Sequence, residues 1–97
     1  MRNDRHPQPI LIRADEVMNV DRAAQHARRN PKTIRIWCRR FGIGRQSCDG
    51  GPMEVSRIGL EMVLHGDTEA LELLRSGDRS SKEVIRYFDF AGIKQAI

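Results

Sequence analysis

"NPKTIRIWCRRFG", residues Asn30–Gly42, holds both ends of a helix and both of its faces. Proline fits the first helical turn, where its missing N–H has no intrahelical acceptor to lose, and the residue before it avoids the α region. A helix is therefore predicted over Pro31–Phe41, closed by Gly42 and Gly44. Ile34, Trp37, Cys38 and Phe41 recur at i, i+3, i+4 and i+7, the spacing of a core-facing stripe. The opposite face shows Lys32, Arg35, Ile36 and Arg39, flanked by Thr33 and Arg40. A helix packed on one side and nearly all cationic on the other is expected to meet a polyanion, of which DNA is the commonest.

The charge distribution sharpens that expectation. The chain has 97 residues and a formal charge of +4. Its eight cations from Arg22 to Arg45 stand without a single Asp or Glu among them, whereas both flanking segments carry more acidic than basic residues. The positive charge thus belongs to one segment of an otherwise acidic domain.

Upstream, Asn19 or Asp21 is placed to cap a helix whose small-residue stripe is Val20, Ala23, Ala24 and Ala27. That stripe would let the Pro31–Phe41 helix pack closely, across a tight turn at about Arg29-Asn30, which is helix-turn-helix spacing. Ile10-Leu11-Ile12 reads as a brief strand or as an apolar lead into a turn at Asp15-Glu16. Downstream, "GRQSCDGGPMEVS" reads as a hairpin: Arg45 to Ser47 rising, Asp49-Gly50-Gly51 turning, Met53 to Val55 returning. Ser56 is expected to cap a helix to about His65 that is buried on more than one side, and Asp67 to start another, stopped by Gly77. Ser80-Ser81-Lys82-Glu83 has capping-box spacing ahead of a last helix that buries Val84, Ile85, Tyr87, Phe88 and Ala91 and ends at Gly92. Phe90 falls off its main stripe.

With helix, turn, basic helix and hairpin in that order, the stretch from Val20 to Leu64 resembles the winged helix-turn-helix of phage excisionases and MerR-type regulators. The resemblance rests on the Ala23-Ala24 pair, Thr33-Ile34-Arg35 followed by Trp37, the hairpin, and a polar residue opening the next helix. It covers about half the chain. The chain departs from the pattern in adding two further helices and in having no long coiled coil of the MerR type. The resemblance implies double-stranded DNA binding, with the Pro31–Phe41 helix in the major groove and the hairpin, as a wing, on the backbone or minor groove.

The expected fold is mostly α, a winged helix-turn-helix with a short β-hairpin wing and additional C-terminal helices. Its parts are a flexible arm over residues 1–9, the winged domain over 10–66 and a helical extension over 67–97 packed on the same domain. Lys32, Arg35 and Arg39 are expected to face bases, where arginine can pair bidentately with guanine and Ile36 can touch a thymine methyl. Thr33 and Arg40, with Arg28 and Arg29 by the turn and Arg45 in the wing, are expected at phosphates. Trp37 is assigned to the core.

The remaining chemistry is sparse. Cys38, Cys48, His26 and His65 have no two- to four-residue ligand spacing, so no metal is expected, and no cofactor or nucleotide-binding motif is present. No catalytic residue is assigned. No apolar run nears the ~20 residues of a membrane span, and no signal peptide is readable, so a cytoplasmic, nucleoid-associated protein is expected. A homodimer or cooperative array through the C-terminal helices, an adaptor on a degenerate helix-turn-helix, and RNA binding by the same basic face stay open.

Overall fold

The computed structural model describes residues 7–93. A 3-10 turn, Ala14–Glu16, leads into strand β1 (Val17–Asn19), then helices α1 (Val20–Ala27) and α2 (Pro31–Phe41). Strands β2 (Gly44–Arg45) and β3 (Glu54–Ser56) follow, then α3 (Arg57–Leu64), α4 (Thr68–Arg75) and α5 (Lys82–Ala91). The fold is mostly helical, with a small antiparallel sheet of order β1-β3-β2. Among the described residues no helix is long and apolar enough to cross a membrane.

Asn19 caps α1, its Oδ1 accepting the Arg22 N–H at 2.8 Å. Val20, Ala23, Ala24 and Ala27 are all buried, and their short side chains allow α2 to pack against α1. Helix α1 stops at Ala27, earlier than expected, because Arg28 turns into the left-handed region (φ 56) and returns its N–H to the Ala24 and Gln25 carbonyls. Asn30 then caps α2 through the Lys32 N–H at 2.8 Å, and Pro31 occupies the first turn. Ile34 and Cys38 are buried, while Trp37 and Phe41 lie half-buried at the margin, edge to face at 6.5 Å.

Gly42 ends α2 at φ 66, but Gly44 is no helix terminator. It opens β2, where an added Cβ would lie 2.5 Å from Cys38 Sγ and 2.7 Å from Cys38 Cβ. Only glycine permits that approach of strand to helix. The hairpin pairs Gly44 with Val55 and Arg45 with Glu54, so its strands lie one residue away from the expected ones on each arm and close the loop 46–53. Strand β1 was not foreseen from the sequence; it pairs Met18 with Val55 on the other side of β3. Ile10–Ile12 forms no strand: Ile10 and Ile12 point into the core, Leu11 is 85% exposed, and the Ile10 N–H donates to the Gly42 carbonyl.

Ser56 caps α3 by accepting the Gly59 N–H at 2.9 Å. Helix α3 is buried from Ile58 to Met62, since α1 covers one side and α4 and α5 the other. Asp67 caps α4, and α5 buries Val84, Tyr87 and Phe88. The expected capping box does not form. The Asp78 carboxylate takes the Ser80 and Ser81 N–H groups at 3.0 and 2.9 Å, and Ser81, the actual N-cap, makes no side-chain cap bond. A carboxylate is the stronger acceptor and stands ahead of both serines. Arg79 adds a part-buried ion pair to Glu16 at 2.7 Å, joining the 3-10 turn to the α4–α5 connection. Of the arm expected over 1–9, residues 1–6 lie outside the described residues, and Gln8 is tied to Arg75 through its carbonyl.

Candidate nucleic-acid interface

The face of α2 turned away from the core carries Lys32, Arg35, Ile36, Arg39 and Arg40, all exposed, with Thr33 half-buried beside them. Helix α2 contains no acidic residue, and among the described residues Lys32, Arg35 and Arg39 pair with no carboxylate. Their charge is therefore uncompensated locally. At 3.6 residues per turn, Lys32, Ile36 and Arg39 lie most squarely opposite the stripe of Ile34, Trp37, Cys38 and Phe41, and Arg35 stands nearer one flank. There its charge acts on the Cys38 thiol, although burial dominates and pushes that thiol up to about 11.

Ile36 is 50% exposed at the centre of this cationic surface. An apolar side chain there gains nothing from a purely ionic contact.

Arg40 and, from the turn before the helix, Arg29 are oriented by aromatic rings. Arg29 lies over the Trp37 ring at 5.7 Å and Arg40 over Phe41 at 5.5 Å, distances at which the ring face attracts a guanidinium. The half-buried rings at the margin of the apolar stripe thus act as shelves for cations along one flank of α2. The helical period alone assigned Trp37 to the core. The arginines one residue before Phe41 and just ahead of the helix were the signal for this second role. Arg28 is exposed at the left-handed turn between α1 and α2.

Arg45 behaves differently from the expected wing contact. Its Nε donates to Glu54 Oε1 at 2.8 Å across the strand pair, and its Nη1 donates to the Ile12 carbonyl at 2.7 Å. Two donors of this exposed guanidinium are thus engaged within the chain, holding the hairpin base to the N-terminal segment. The loop 46–53 has no Lys or Arg and carries Asp49. It offers exposed Gln46, Ser47 and Cys48, with the Gln46 Nε2 donating to the Gly51 carbonyl across the loop. The cations of the site thus sit on α2 and the turn before it.

Both cysteines are free thiols, Cys38 buried and Cys48 exposed. Among the described residues no group of three potential ligands is arranged to hold a metal. Comparison with protein families, with curated proteins and with solved structures finds no match to this chain.

Proposed function

We propose that the protein binds double-stranded DNA sequence-specifically, with α2 in the major groove, as a small regulator or a phage or plasmid accessory factor in transcription, excision or packaging. The observation that carries this reading is the free face of α2, where uncompensated cations surround a half-exposed isoleucine. Lysine and arginine supply affinity for phosphate without regard to sequence. Ile36 suits a base edge, and the thymine methyl is the apolar group that the major groove presents. The same observation favours DNA over RNA. Uracil has no such methyl, and the deep, narrow major groove of an A-form duplex excludes a helix.

The order α1, turn, α2, hairpin and α3 supports a winged helix-turn-helix of the excisionase-like or MerR-type kind. In this reading β1 completes the sheet under the wing. The wing contributes neutral donors from residues 46–53, and Arg45 braces it.

Selection from random duplex DNA, followed by titration at several salt concentrations, tests the proposal. With four to six cations at phosphates, the log–log slope of affinity against salt should be about −4 to −5, at roughly −0.9 per contact. Replacing the contacted thymine by deoxyuridine should weaken the wild type several-fold and leave Ile36→Ala unaffected. Failure to bind duplex DNA at low salt, or a slope near zero, overturns the proposal.

A further inference from the structure

A second surface lies across α1, β1, α3 and the end of α5. Phe90 is 69% exposed on α5, a helix whose Val84, Tyr87 and Phe88 are buried. Beside it is a hollow of about 260 Å³ lined by Met18, His26, Arg57, Glu61, Phe90 and Ala91. The one carboxylate in the hollow is already taken, since Glu61 Oε2 is 2.7 Å from His26 Nε2. Arg57 donates to the Ala91 carbonyl at 3.1 Å but pairs with no carboxylate among the described residues. Next to the aromatic knob, Asp89 is exposed, and its carboxylate meets no cation among the described residues.

We infer that this surface pairs two copies of the chain about a twofold axis, each Phe90 entering the hollow of the other copy and each Asp89 facing the other copy's Arg57. A knob with an unpaired carboxylate and a hollow whose guanidinium lacks a carboxylate partner are complementary in charge. One chain carries both side by side, which is what an isologous contact requires. Docking removes most of a phenyl ring from water and gives both unpaired charges a partner. The patch is small against a standard interface, so the dimer is weak, with a dissociation constant in the range of about 10–100 μM. Helix α5 packs on α3 and α4, whereas α2 packs on α1 and β2, and pairing leaves the cationic face of α2 uncovered. The inference does not rest on DNA binding.

Sedimentation equilibrium of the whole chain without DNA, up to about 1 mM, tests it against that expected range. The wild type should show a monomer–dimer equilibrium, and Phe90→Ser should weaken it at least about tenfold while the monomer stays folded, because the ring is mostly exposed and touches only the His65 ring at its edge among the aromatic contacts. Asp89→Arg should weaken it too, and adding Arg57→Glu to that variant should restore part of the loss. Because Arg57 also holds the end of α5, the restored pairing is read only if the double variant keeps the wild-type circular dichroism spectrum; if it does not, the Phe90→Ser result decides alone. A strictly monomeric wild type, or a Phe90→Ser variant that dimerises as tightly as the wild type, overturns the inference.

Discussion

Arg45 and Arg39 are both exposed arginines next to the same face, yet the structure gives them different work. Arg45 is bound to Glu54 and to the Ile12 carbonyl, and Arg39 has no carboxylate partner among the described residues. Arg45→Ala should therefore lower stability, by about 1–2 kcal/mol from a surface ion pair and one further hydrogen bond, while leaving the salt slope of DNA binding unchanged. Arg39→Ala should keep the wild-type melting temperature and reduce that slope by about one. Calorimetry and binding titrations on the two variants check the contrast, and a reversed pattern would return Arg45 to the phosphates. Sequence periodicity found the outward cations of α2, because direction on a helix is set locally. It missed the engagement of Arg45, which depends on strand register with Glu54 and on a carbonyl far away in sequence.

Helix α2 was legible to the residue because both its ends are written locally, by Asn30-Pro31 ahead and Gly42 behind. Strand β1 was not, since Val17-Met18-Asn19 shows no alternation of its own and becomes a strand by pairing with β3. The start of α5 misled the reading for a related reason. Ser80 and Glu83 have the spacing of a capping box, but spacing does not say which acceptor reaches the N–H groups first, and Asp78 does. Asp78→Ala should accordingly lower the melting temperature, whereas Ser80→Ala and Glu83→Ala should leave it near the wild-type value. Thermal unfolding of the three variants decides, and equal losses from Ser80→Ala and Asp78→Ala would restore the capping box.

For the whole molecule, the Tyr87–Asp67 contact between α5 and α4 and the Asp78 turn ahead of α5 make stability depend on pH. The Tyr87 hydroxyl donates to Asp67 Oδ2 at 2.7 Å and, with the Ala70 N–H, holds that carboxyl below its ordinary 3.8. The Ser81 and Ser80 N–H groups hold Asp78 below 3.8 in the same way. Both folded-state values are depressed, so this stability is fully present above 3.8 and is lost as pH falls through the folded values. Burial, and then the bond to Asp67, push Tyr87 up from 10.0 to about 12. Its contribution is therefore complete below 10.0 and is lost as pH rises through about 12. Denaturation midpoints measured across pH should form a plateau with an acid and an alkaline limb, and Tyr87→Phe should shrink both. An unchanged alkaline limb in that variant would assign it to another group.

The contact between Gly44 and Cys38 also has a mechanical consequence. It seats the Gly44 backbone directly on the Cys38 side chain, while Arg45 ties the same point to Ile12. The hairpin base and α2 are therefore one stiff frame, and residues 46–53 form a lever pivoted on it. Amide order parameters should stay near about 0.85 through Arg45 and again from Glu54, and fall below about 0.6 at Asp49 and Gly50. In Gly44→Ala the pivot itself should loosen, and the low values should spread inward to Arg45 and Glu54.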